Sequence, residues 1–134
     1  MMVQRCRSYE ESPFLLTTSF VPEALARPLT RRLLATKTVL VALDELGVRP
    51  VTAEQTVTAV IADPVAARHL GVEPASALMC IQRLIRDGGG RSIEHQNHVY
   101  RPDRCHLQSR VSIERSAGGL RWVDAQPLPI PAWL

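Results

Sequence analysis

ALMCIQRLIRDGGGRSIEHQNHVYR, residues 77–101, is the stretch on which the fold turns. Its first arm, 77–86, is rich in Leu, Met, Cys and Ile, with Gln82 and Arg83 among them. Asp87-Gly88-Gly89-Gly90 has the residues of a turn, and 92–101 follows as a partner strand. Two strand-like runs joined by a glycine-rich turn predict an antiparallel hairpin. Side chains alternate between the two faces of a strand, so Glu94, Gln96, His98 and Tyr100 share one face of the second arm. A polar row of this kind ordinarily faces water. This strand, however, is central in a simple meander order, and helices should cover one sheet face. Under such a cover, an acceptor, an amide, an imidazole and a phenol line a ligand pocket.

On the N-terminal side, 3–8 reads as a short strand, Glu10-Glu11-Ser12-Pro13 as a turn and 14–20 as a second strand. Phe14, Leu16 and Phe20 share one of its faces; Leu15, Thr17 and Ser19 share the other. Arg5 and Arg7 also share a face, and two guanidiniums side by side suit a phosphate or carboxylate. Residues 22–29 form a short helical or irregular piece ended by Pro28. One helix is predicted over 33–46, with Val39, Leu40, Leu43 and Leu46 on its apolar stripe and Gly47 as its C-cap. The cleanest alternation is in 51–61, a further strand. Asp63 and Pro64 open a helix that stops at Gly71. After the hairpin, Leu107, Val111 and Ile113 carry a sixth strand, and 117–134 reads as an extended tail packed through Trp122 and Trp133. The expected fold is α+β: a mostly antiparallel sheet of about six strands with helices packed on one side.

Composition narrows the function. A chain of 134 residues, 46% hydrophobic and 22% charged, is one globular domain. It has neither the apolar run of a membrane span nor the h-region of a signal peptide, so a cytoplasmic location without membrane contact is expected. The net charge of +3 is small and its arginines are scattered, and only 4% of residues are aromatic. The basic patches and stacking platforms of a nucleic-acid binder are therefore missing. Three widely spaced cysteines with no CxxC do not make a disulfide framework. His95, His98, Cys105 and His106 suggest a metal, but His95 and His98 alternate to opposite faces and Cys105 and His106 diverge, so no metal site is expected. No nucleophile motif or phosphate loop is present, so neither catalytic residues nor a cofactor are expected.

The order of these features resembles the UTRA domain, the effector-sensing domain of the HutC branch of GntR-type bacterial transcription regulators. The likeness runs through residues 3–115. Arg5-Cys6-Arg7 is similar to the family's R-x-R strand, and Pro13 through Pro22 to the strand after it. Thr38-Val39-Leu40, Leu43 and Gly47-Val48 resemble its Ser-Leu…Leu…Gly-Val helix. Ala62-Asp63, Ala66-Ala67 and Leu70-Gly71-Val72 match the next helix, and 78–83 its apolar strand ending in Arg. Ile93-Glu94 and Tyr100-Arg101-Pro102-Asp103-Arg104 resemble its closing strand.

The resemblance implies a chorismate-lyase-like fold with a buried ligand cleft. Carried over residue by residue, it places Arg5, Arg7, Thr38, Glu94 and Tyr100 around a small anionic metabolite. His98 joins them by strand parity, and Thr17 stands where many relatives have Glu, which makes a sugar-like effector less expected. The implied role is ligand sensing in a homodimer that contacts DNA only through a winged-helix domain. That domain is absent from this chain, as are the sensor's first strand and helix, so residues 1–116 are expected to be the sensing domain and 117–134 a Pro/Gly-rich tail. Two other roles fit similar residues: a chorismate-lyase-like enzyme acting on a small carboxylate, and a dimerisation remnant that no longer senses.

Overall fold

The 77–101 hairpin forms around Asp87. In the computed structural model, which describes residues 1–116 and 118–127, Asp87 Oδ1 accepts from the backbone N–H groups of Gly89 (3.0 Å) and Arg91 (2.9 Å). Its Oδ2 accepts from Arg91 Nε at 3.0 Å. Gly90 supplies the left-handed residue, with φ at 78°. The arms are β4 (Ala77–Asp87) and β5 (Ser92–Tyr100), paired antiparallel. A second hairpin joins β1 (Met2–Tyr9) to β2 (Ser12–Phe20) through Glu10 and Glu11, both at positive φ as a two-residue hairpin turn requires. Pro13, expected in that turn, lies inside β2 next to a register shift.

Strand β3 (Pro50–Ile61) completes a five-stranded antiparallel sheet in the order β1-β2-β5-β4-β3. The 92–100 strand is thus the central one. Strand β3 lies at an edge and is exposed along nearly its whole length, with Val51 64% and Ile61 73% exposed. Its alternation therefore does not mark a half-buried strand: the described helices cover the strands further in, and the edge extends past them.

The expected sixth strand is real but does not join this sheet. Among the described residues, β6 (Ser109–Ser116) pairs only with β7 (Gly119–Pro127), so the stretch expected as a tail contains a strand. Trp133 and the Trp122 side chain lie outside the described residues.

The helices divide between both faces of the sheet rather than gathering on one. Helix α4 (Pro64–Leu70) begins as the sequence reading has it: Asp63 Oδ1 accepts from Ala66 N at 2.7 Å, and Gly71 ends it at φ 64°. Its Ala66, Ala67 and Leu70 pack on Leu16, Leu78, Cys80 and Val99, forming a dry core on one face. Arg101 ties this helix to the sheet. Its Nη1 donates to the Leu70 carbonyl at 3.2 Å, and its other nitrogens hold Asp103 at 2.7 and 3.1 Å.

The opposite face meets the segment after β2: α1 (Glu23–Ala26), α2 (Arg31–Thr36) and α3 (Val39–Glu45). The single helix expected over 33–46 is broken at Lys37-Thr38, both in extended conformation. Thr38 acts instead as an N-cap, its Oγ1 accepting from Val41 N at 3.3 Å, as Thr30 does for Leu33 N at 3.2 Å. A threonine hydroxyl that satisfies an orphan N–H offers the chain a local alternative to helix continuation. The break folds α2 back so that Leu33 and Leu34 join Val39, Ala42 and Leu43 in a second core with Val21 and Leu29.

Candidate ligand-binding site

Register across the sheet lays the second face out as rows. Arg5 stands opposite Thr17, Thr17 opposite His98, and His98 opposite Ile81. One row along, Arg7 leads through Leu15 and Tyr100 to Met79; on the other side, Val3 leads through Ser19 and Gln96 to Arg83. Glu94, opposite Ile85, sits in the row after that. A cavity of about 400 Å³ lies over these rows, within the size range of small-ligand sites. Thr38 and Val39, at the start of α3, and residues 105–107 after β5 also line it.

All seven residues singled out from the sequence border this one cavity: Arg5, Arg7, Thr17, Thr38, Glu94, His98 and Tyr100. Arg83 and Ser19 do so too, without having been singled out as site residues, as do Cys105, His106 and Leu107. Gln96, placed on the polar face by alternation, has a part in the hydrogen bonding described next. Nothing periodic in the sequence marks the 105–107 segment, because it belongs to no strand or helix.

The polar side chains are ordered by direct bonds. Thr17 Oγ1 lies 3.0 Å from His98 Nδ1, and His98 Nε2 lies 2.9 Å from Gln96 Oε1. With the Gln96 carbonyl as acceptor, the imidazole proton sits on Nε2, and Nδ1 accepts from the Thr17 hydroxyl. Burial, together with the positive charges of Arg83 and Arg7, holds His98 down to a pKa of about 4, so the ring is neutral at pH 7. Burial pushes the Tyr100 phenol up, keeping it protonated. Arg83 is oriented by Gln55, whose Oε1 accepts from Nε at 2.8 Å.

Among the described residues, two ionisable side chains at the cavity have buried polar atoms without a hydrogen bond. One is Arg5 Nη2, which is buried and has no hydrogen bond. The other is Glu94, which is 1% exposed and has both carboxylate oxygens unsatisfied. Burial raises its pKa; Ser19 and Gln96 lie near enough to oppose that rise, but neither meets the carboxylate at hydrogen-bonding geometry. Buried polar groups are nearly always paired, so each orphan asks for a partner from outside the chain.

Residues 1–106 match the family model of the UTRA domain. The chain belongs to the UTRA domain family. Among solved structures, it is similar to the ligand-binding domain of a Bordetella bronchiseptica protein assigned to the GntR family of transcriptional regulators. The two are 28% identical with a TM-score of 0.74, over 83% of this chain and 73% of that one. A GntR-family regulator from Enterococcus faecalis V583 shares the fold at 17% identity and a TM-score of 0.73, covering 81% of this chain and 78% of that one. The effector-binding domain of the B. subtilis trehalose repressor does so at 13% identity and 0.71, covering 81% and 76%. No curated protein matches the chain. The UTRA fold with its cleft is the architecture described above, and these relatives mark the chain as a ligand-sensing regulatory domain and not an enzyme.

Proposed function

We propose that this UTRA domain senses a small anionic metabolite in the cavity between the sheet and α3. The reading is carried by Arg5, whose buried Nη2 has no partner, set one pleat from Arg7 on the cavity wall. A phosphate or carboxylate there forms charge-assisted hydrogen bonds that the free protein lacks. Thr38 donates its hydroxyl from the rim, Glu94 and Tyr100 read polar substituents, and Thr17 and His98 complete the wall. In this reading the domain serves a cytoplasmic regulator of the HutC branch. No described helix is long and apolar enough to cross a membrane. DNA contact falls to a winged-helix domain, and the ligand shifts an equilibrium between two arrangements of a homodimer. The exposed edge strand β3, with Val51, Val57 and Ile61 uncovered, supports self-association.

A thermal-shift screen of phosphosugars, amino acids and dicarboxylates tests the site. A ligand at a hundred times its Kd adds about 2.7 kcal/mol of stability. Arg5→Ala should abolish the shift; a shift that survives this substitution overturns the assignment of the anion to Arg5.

A further inference from the structure

The two orphan groups of the cavity are a guanidinium and a carboxyl group, and they stand far apart. Arg5 is level with His98 on the central strand, two strands away. Glu94 is on that central strand, four residues before His98. With strands about 4.8 Å apart and a rise of about 3.3 Å per residue, the two Cα atoms are roughly 16 Å apart. Both side chains border the cavity.

Among the described residues, no cation supplies what Glu94 lacks. Among the described residues, none of the ion pairs includes it. Arg83, one row away on the neighbouring strand, has its Nε turned to Gln55. Thr17, Ser19, Gln96 and His98 occupy the rows between the two groups, whereas Leu15 and Met79 lie beyond Arg5, in the Arg7 row. The cavity therefore presents a guanidinium at one end, a polar middle and a carboxyl group at the other.

We propose that the ligand is an ampholyte: an oxyanion held by Arg5, a short spacer facing Thr17, Ser19 and Gln96, and an ammonium group seated on Glu94. This rests on the cavity being the effector site and adds the second pole to it. A carboxylate and a phosphonate present the same oxyanion chemistry to Arg5, so the test carries both.

The full chain is titrated calorimetrically with γ-aminobutyrate, γ-hydroxybutyrate and butyrate, and with aminopropyl phosphonate and propyl phosphonate. Each aminated compound should bind at least tenfold more tightly than its unaminated counterparts, and the tighter of the two identifies the oxyanion. Glu94→Gln, which keeps shape and polarity and removes a buried acid, should bring the amine-to-hydroxyl affinity ratio close to one. Its fold is checked by circular dichroism. Equal affinity across amine, hydroxyl and unsubstituted compounds, or a ratio unchanged by Glu94→Gln, overturns the ammonium pole while the oxyanion site stands. Absence of binding by every compound overturns both.

Discussion

His98 links the cavity to the acid stability of the domain. The unfolded chain protonates it near the ordinary imidazole value of 6.5, the folded chain only near 4. Between these values the unfolded state holds more protons, so stability rises with pH. The contribution is complete above 6.5 and is lost as pH falls to about 4. The difference between 6.5 and about 4, at about 1.4 kcal/mol per pH unit, amounts to about 3 kcal/mol. Glu94 has the opposite sign: its folded pKa is raised, so its contribution is present below its ordinary range and fades as pH rises through the raised value. The measurement is therefore made in a Glu94→Gln background. Urea unfolding at a series of pH values compares that variant with Glu94→Gln/His98→Gln, and an NMR titration follows the His98 ring. The single variant should lose stability steeply as pH falls from 6.5 toward 4, the double variant much less, and the ring midpoint should lie near 4. A ring midpoint near 6.5, or equal pH slopes in the two variants, would refute burial and the Arg83 and Arg7 fields as the controlling influences.

Two further substitutions test the architecture. Thr38→Ala removes the hydroxyl that accepts from Val41 N and should cost about 1 kcal/mol in urea unfolding, with Thr38→Ser restoring most of it. Leu70→Ala empties a side-chain position that is 0% exposed and should cost about 2–5 kcal/mol. Leu70 lies on the face away from the cavity, so calorimetry on the folded fraction should find the ligand affinity unchanged.

What could be read from the sequence follows from which features are local. Alternation within β5 is local, and it placed Glu94, Gln96, His98 and Tyr100 together. The caps of α4 are local as well: Asp63, Pro64 and Gly71 each act within one helical turn. The break at Lys37-Thr38 was hidden because Val39, Leu40, Leu43 and Leu46 make one helical stripe and residues 33–38 contain neither glycine nor proline. Only the caps at Thr30 and Thr38 reveal two short helices folded onto one core. The separation of β6–β7 from the main sheet is a matter of tertiary pairing, which alternation in 107–113 does not express.

Register is the least legible feature, and it decides which arginines reach the cavity. Counting back from the Glu10-Glu11 turn, with Tyr9 opposite Ser12, would set Arg7 opposite Phe14. A shift between Arg7 and Ser8 sets it opposite Leu15 instead. Similarly, Arg86 opposite Ser92 would continue to Arg83 opposite His95, but a shift between Ile85 and Arg86 sets Arg83 opposite Gln96. A slip of one residue sends every following side chain to the other face. Without these two irregularities, Arg5, Arg7 and Arg83 would all point toward the side packed by α4, where Leu16, Cys80 and Val99 leave no place for a guanidinium. The bulges are thus part of the binding site although neither need touch a ligand, in keeping with the tendency of bulges to re-aim side chains beside functional sites. Arg5 and Arg7 could be singled out because they share a face whichever face that is; Arg83, with no arginine two residues away to pair with it, could be placed only once the bulge was seen.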